Sequence, residues 1–441
     1  MTGDIGYPQI KRLYECLYTD PDFIEKLQND PRGFARKLKL GSDPARILDT
    51  AEKIKTLSGN ENPFIFYYGE RMQKVSEEIT KKTGPDCFFD KRLYELGRTV
   101  KNRMSVSSFR IRLHPNVRYY PVMFELTQGC SQHCPFCGFD AKDLSGVFSY
   151  NSKNSVQWKQ ILGIIRDVVG PAAGMGICYF ATEPFDNPDY EQFINDFRDV
   201  FGRTPQTTTA LGLKDPQRLR RFISTVSSHD MYCGAVRISV RSLEEFYRVM
   251  SEYSPEELAD IEIIANNPES SSQYSASGRK YGREEGCADY SICCLAGLRV
   301  NMASGTVCFE EPEMPDEDHP TGERIYETLS FSDASSFEKA VRYLSDRYAF
   351  DGIKDNDTLY FDRCVKVEIN GNEVLLSGDG VRLHMTGNNL FIDAVRLIKD
   401  EKLSAAELAE GLNVSGFVKD ILFEKLVRIY KKGYLRILPE G

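Results

Sequence analysis

Cys130, Cys134 and Cys137, separated by three and then two residues, stand in Phe124-Glu-Leu-Thr-Gln-Gly-Cys-Ser-Gln-His-Cys-Pro-Phe-Cys-Gly138, directly after an apolar run. Three thiolates in one short loop can hold three irons of a cubane. A [4Fe–4S] cluster ordinarily takes four cysteines, so a loop offering three, with no fourth nearby, leaves one iron open to a substrate. Structural zinc is the commoner meaning of clustered thiols, but zinc needs a fourth ligand at tetrahedral geometry. His133 is the alternative for that ligand, and it lies awkwardly inside the loop.

Cys287, Cys293, Cys294 and Cys308 form a second group in the sequence around Ser291-Ile-Cys-Cys-Leu-Ala-Gly-Leu-Arg-Val-Asn-Met302 and Gly305-Thr-Val-Cys-Phe309. Adjacent Cys293 and Cys294 point to opposite faces of a strand, which makes shared ligation of one auxiliary cluster awkward. Cysteine is also a good small core residue. The sharper expectation is that one of this pair faces the centre of the fold as a reactive thiol.

The surrounding chain has 441 residues, 41% of them hydrophobic, enough for two or three domains with real cores. Residues 1–104 read as a helical region, with Asp20-Pro, Asp30-Pro and Asp43-Pro as repeated helix starts. It serves as a packing module or as a surface presenting a substrate. Residues 105–331 alternate β-rich runs with helical periods, the pattern of repeated βα units on a parallel sheet. Strands are expected over Val117–Leu126, Gly176–Thr182, Thr207–Leu211, Gly234–Val240 and Ile261–Ala265, followed by a hairpin turning at 303–305. Active sites of parallel sheets lie at the C-terminal strand ends. Those ends carry Thr182, Glu183 and Pro184, then Thr208, then Ser239 and Arg241 on one face, then Asn266. Asp186 and Asn187 read equally as caps of the next helix or as ligands, and the Ser-rich stretch through Arg279 reads as a lid or an insertion. Residues 332–441 hold a hairpin at Asn370-Gly371, three helices and a closing strand, with a capping box at Ser404 and Glu407. This order suits a winged helix or a peptide-recognition element.

The stretch from Phe124 to Gly138 resembles the radical SAM enzymes, including the aromatic Phe136 before the last cysteine and Gly138 after it. The turn Thr182-Glu-Pro184 stands where that family has a Gly-Gly-Glu-Pro-like turn binding the amino group of AdoMet. The ordered set of Glu-Leu-Thr-Gln-Gly-Cys, Thr-Glu-Pro-Phe-Asp-Asn-Pro-Asp-Tyr, Pro-Gln-Thr-Thr-Thr-Ala and Cys-Leu-Ala-Gly-Leu-Arg-Val-Asn-Met is similar to radical SAM epimerases that mature ribosomally made, proteusin-type peptides, over residues 10 to 330. The resemblance implies an α/β fold, a partial (β/α)6-type radical SAM barrel between the helical region and a winged-helix-like α+β domain. It implies a [4Fe–4S] cluster on Cys130, Cys134 and Cys137. It implies S-adenosyl-L-methionine as co-substrate, held by Phe136, Gly138, Thr182, Glu183, Pro184, Thr208, Ser239, Arg241 and Asn266. Serine suits ribose hydroxyls there, and arginine suits a carboxylate.

The reaction implied is L-to-D inversion within a precursor peptide that carries a leader, supported by an external electron donor. A substrate Cα hydrogen is removed to leave a planar radical, and Cys294 returns a hydrogen from the other face. Pro135 and Glu313 stand where members of the family tend to have tryptophan and a further cysteine. A cross-linking or cyclising maturase is therefore the rival, and it would show a mass loss of about 2 Da, the two hydrogens removed. A non-catalytic iron–sulfur sensor or scaffold is the reading from a different class.

The first residues lack a basic and apolar signal region, and no segment has the length of a membrane span, which leads to the expectation of a cytoplasmic protein without a membrane partner. Twelve cysteines then mean reduced thiols and metal. A net charge of -9 leaves no electrostatic footprint for nucleic acid.

Overall fold

Proline together with a capping side chain sets the first turn of two N-terminal helices, those starting at Pro31 and Pro63. The computed structural model describes residues 5–41, 43–108, 119–230, 235–270, 274–283, 287–288 and 291–439. Its first helices are α1 (Tyr7–Thr19), α2 (Phe23–Asn29), α3 (Pro31–Lys37), α4 (Pro44–Thr56), α5 (Pro63–Lys82) and α6 (Lys91–Ser107). The Asp30 carboxylate accepts from the Gly33 N–H at 2.9 Å to cap α3. Asp20 behaves otherwise. It is buried, takes the Lys26 ammonium at 2.8 Å and accepts from the Tyr247 hydroxyl at 2.5 Å, so it fastens the helical region to the next one. Buried Arg12 does the same through the carbonyls of Leu38, Met250 and Tyr253.

The middle region holds β1 (Tyr120–Glu125), the short pair β2 (Thr127–Gln128) and β3 (Gly146–Val147), α7 (Ser152–Val169), α8 (Tyr190–Phe201), β4 (Thr207–Thr209), α9 (Pro216–Asp230), β5 (Val236–Val240), α10 (Leu243–Glu252) and β6 (Ile261–Ala265). After the short strands β7 (Tyr274–Ser275) and β8 (Cys287–Ala288) come β9 (Leu295–Asn301), β10 (Thr306–Pro312) and β11 (Glu323–Ser330). Strands β4, β5 and β6 pair in parallel with helices between them, as βα repeats require. Strand β1 pairs in parallel with β9, which continues antiparallel into β10 and β11. The hairpin turns where expected, with Asn301 facing Thr306.

The expected strand over Gly176–Thr182 does not form a ladder. Phe124 N–H donates to Ile177 O at 2.8 Å, one bridge joins Glu125 to Tyr179, and the chain then turns as Thr182 N–H bonds Tyr179 O. Gly176 permits this approach, since a Cβ there would lie 2.6 Å from the Val122 carbonyl oxygen. The parallel strands therefore fall into two sheets, β1-β9-β10-β11 and β4-β5-β6, with this irregular segment between them. Beneath them Phe124 packs edge-on to Trp158 and Phe197, all fully buried, each burial stabilising the fold by about 2–3 kcal/mol.

The C-terminal region has α11 (Ala334–Tyr348), β12 (Thr358–Phe361), a meander of β13 (Lys366–Asn370), β14 (Glu373–Gly378) and β15 (Val381–Thr386), then α12 (Asn389–Asp400), β16 (Leu403–Ser404), α13 (Ala405–Gly411), α14 (Gly416–Lys431) and β17 (Leu435–Leu438). The Asn370-Gly371 hairpin and the Ser404–Glu407 capping box form as read, while β15 adds a third strand. The region packs around a second hydrophobic core that includes Leu376, Val395 and Leu426 and takes in Val106 of α6. Among the described residues no helix is long and apolar enough to cross a membrane.

Candidate functional site

The cysteine loop leaves β2 through Gly129, whose φ of 79° suits glycine and where a Cβ would lie 2.2 Å from Asp143 O. Cys130 N–H then bonds Lys142 O at 2.9 Å, closing the loop at its base. Two distant segments grip it. The Asp186 carboxylate accepts from both the N–H and the hydroxyl of Ser131, at 2.8 and 2.6 Å. The Arg279 guanidinium donates to Cys134 O at 2.9 Å and Ala141 O at 2.5 Å, while its backbone N–H reaches Cys137 O at 2.9 Å. Arg279, at the end of the stretch read as a lid or an insertion, thus clamps the loop. Gly278 makes the approach possible, with a φ of 58° and a would-be Cβ 2.3 Å from Cys137 O.

The three cysteines line a cavity of about 270 Å³, near the lower end of the ~300–1,000 Å³ usual for small-molecule sites. Phe136 and Gly138 line it from the same loop, and the strand ends contribute Thr208, Ser239 and Asn266. Asn266 donates to Ser239 Oγ at 2.8 Å. Phe136 stacks on Tyr274, with 5.2 Å between centroids and 14° between planes, and both rings line the cavity. Thr182 and Glu183 close the far side. Glu183 turns its side chain inward, accepting from Thr209 Oγ1 (2.6 Å), Ala210 N–H (2.8 Å) and Phe185 N–H (3.1 Å). It splints the Pro184 turn to the end of β4; Pro184 itself is buried and lies outside the cavity lining.

Arg241 stands beside the cavity rather than in its lining. Its guanidinium is paired with Glu245 at 3.0 Å, donates to Gln132 Oε1 at 3.1 Å and pulls the Cys134 thiol toward ionisation. Burial pushes the Cys130 thiol up to about 12 and raises Cys134 as well, so a bound cation is what would make them thiolates at neutral pH. Backbone N–H groups of Gln132 and Ala141 already point at Cys130 Sγ and Cys137 Sγ, 3.5 Å each, as donors for anionic sulfur. Among the described residues, the set whose ligand atoms all lie within 4.8 Å of one another is Cys293, Glu310 and Glu323, and the loop thiols are not such a set. His133 has a largely exposed side chain, with Nδ1 3.3 Å from Asp143.

Cys293 and Cys294 diverge as their adjacency requires. Cys294 lies outside the cavity lining, packed against a buried cluster that includes Tyr179 and Phe180, both of which line the cavity. Burial holds its thiol up at about 11, with the Arg237 charge acting against that rise. Arg237 donates to Thr208 Oγ1 (2.8 Å) and to the Tyr179 hydroxyl (2.9 Å), and those two oxygens lie 2.8 Å apart. A polar network thus runs from the Cys294 side to the cavity wall. Cys293 turns the other way, toward Glu310 at 3.6 Å. Cys287 lies where side chains are outside the described set. Sequence reading missed Arg237, Tyr179 and the grip of Asp186 and Arg279. Period two along β5 puts Arg237 on the same face as Ser239 and Arg241 and could have marked it; the grips join residues 55 to 145 positions apart and left no local signal.

The chain is similar to an uncharacterized protein, y4wI, of Sinorhizobium fredii (strain NBRC 101917 / NGR234), with 30% identity over 246 residues, covering 53% of this chain and 48% of that protein. The chain spans about half the length of the curated relative it matches. No family model matches the chain, and no solved structure does.

Proposed function

We propose that the chain is a radical SAM enzyme that takes a Cα hydrogen from residues of a ribosomal precursor peptide and returns one to the opposite face, turning L residues to D. The observation that carries the reading is one cavity lined by Cys130, Cys134 and Cys137 together with the ends of three consecutive parallel strands, Thr208, Ser239 and Asn266. A [4Fe–4S] cluster on the three thiolates would supply the electron that cleaves AdoMet and so the oxidant for a Cα–H bond.

The residues of the chain then divide the remaining work. Gln132 and Ala141 N–H groups and the Arg241 charge stabilise the three sulfurs as anions. The stacked pair Phe136 and Tyr274 offers aromatic surface to a planar group, and the hydroxyl and amide of Ser239 and Asn266 meet sugar hydroxyls. Cys294 is the hydrogen donor. Its S–H bond breaks as the new Cα–H bond forms, leaving sulfur one electron short until an external one-electron donor and a proton restore the thiol. Burial keeps that thiol protonated, which a hydrogen-atom donor requires.

Cluster-loaded protein with AdoMet and dithionite is expected to release 5′-deoxyadenosine, and in D2O to place deuterium at inverted Cα positions of the peptide. Cys294→Ala should keep 5′-deoxyadenosine release and lose inversion to background. Inversion at the wild-type rate in that variant would remove Cys294 from the role. A wild type releasing no 5′-deoxyadenosine would leave the iron–sulfur scaffold reading instead.

A further inference from the structure

We infer that Cys293, Glu310 and Glu323 form a mononuclear binding site for a borderline divalent cation of the zinc class, separate from the cysteine loop. One ligand atom from each lies within 4.8 Å of the other two, and all three residues are buried. Cys293 Sγ is 3.6 Å from Glu310 Oε1, close to the ~3.5 Å that one sulfur and one oxygen adopt on a tetrahedral zinc with Zn–S 2.3 and Zn–O 2.0 Å. Independently, Glu323 Oε1 is buried and accepts no hydrogen bond among the described residues, with the Arg299 guanidinium no nearer than 3.8 Å. A buried carboxylate oxygen left without a donor is costly, and a cation between the three groups would satisfy it.

The backbone builds this arrangement. Ser291 Oγ donates to Gly322 O at 2.5 Å and accepts from Cys293 N–H at 3.0 Å, tying the segment before β9 to the residue preceding Glu323. Glu310 enters at an irregularity in the β10–β11 pairing, just after Phe309. Arg299 takes its other oxygen at 3.1 Å, so that Oε1 is the one turned to Cys293. Such an outer partner orients a metal ligand. With the thiol and both carboxyls ionised on binding, the three ligands and Arg299 would sum to minus two, which a divalent cation neutralises. Sulfur with carboxylate oxygen favours zinc over magnesium or calcium.

The test uses the full-length, cluster-loaded protein, equilibrated with excess zinc and desalted, with metals counted by elemental analysis and the zinc environment read by zinc-edge X-ray absorption. One zinc per chain is expected, with one sulfur near 2.3 Å and oxygens near 2.0 Å, and with iron content unchanged. Cys293→Ser and Glu323→Gln should each lose that zinc at unchanged circular dichroism; the second variant carries the test if the first fails to fold. Absence of retained zinc, a three-sulfur environment that places it on the loop, or zinc retained in both variants would overturn the site. None of these readouts depends on AdoMet cleavage, so the site and the proposed reaction can fail separately.

Discussion

Glu183 accepts three hydrogen bonds, and each favours its carboxylate, yet burial outweighs them and pushes the carboxyl up to about 7 from an ordinary 4.5. Between those two values the folded chain holds a proton that the unfolded chain has released, so Glu183 makes stability fall as pH rises through that window. A shift of this size corresponds to about 3 kcal/mol across the window. Denaturation of wild type and Glu183→Gln at pH values below 4.5 and above 7 should therefore show the wild type losing about 3 kcal/mol more than the variant as pH rises; equal slopes would mean that Glu183 is ionised in the fold. The position of Glu183 was legible in the sequence because a Glu-Pro turn follows a hydrophobic run. Its partners Thr209 and Ala210 were not, since they lie 26 and 27 residues on and hydrogen-bonding side chains carry no mark of whom they meet.

At the scale of elements, the strands whose apolar runs are bounded by turns were readable, and β6 spans Ile261–Ala265 as expected. Strands β11 and β15 were not, because each exposes alternate residues and mixes charge into the pattern. The Gly176–Thr182 run has strand composition, but the close approach at Gly176 and the early turn at Thr182 override propensity. The segment carrying Gly278 and Arg279 illustrates the opposite case, polar and loop-like in sequence yet fixed in space by the carbonyls it binds. Arg279→Ala would release Cys134 O and Ala141 O together, a loss of about 2–3 kcal/mol in loop restraint. If the loop holds the proposed cluster, its iron should be lost to a chelator at least about ten times faster in this variant than in wild type, with secondary structure unchanged. Arg279→Lys should recover only part of the protection, since a single ammonium lacks the forked donors. Equal release rates in all three proteins would mean that the clamp does not hold the cluster loop.

The whole molecule is joined by buried ion pairs that cross its regions. Arg103 of α6 meets Glu311 of β10 at 2.5 Å, and Arg436 of β17 bridges Glu313 and Asp362, with Arg324 on Glu313 at 3.0 Å. Removing residues 332–441 would take Arg436 from buried Glu313, and breaking such a pair costs about 3–5 kcal/mol. A truncation would therefore weaken the middle region along with any recognition it removes, and point changes on the surface separate the two. Helix α14 offers them: Phe417 is 77% exposed, with Val418 and Ile421 at 49% and 43%, an apolar patch on a helix whose other face fills the C-terminal core. If the precursor leader docks there, burying Phe417 and Ile421 would contribute about 3 kcal/mol. Phe417→Ser/Ile421→Ser should then weaken binding of a labelled leader-bearing peptide by at least about ten-fold, while peptide-free 5′-deoxyadenosine release and thermal stability stay at wild-type levels. Unchanged peptide affinity in that variant would place recognition elsewhere on the chain.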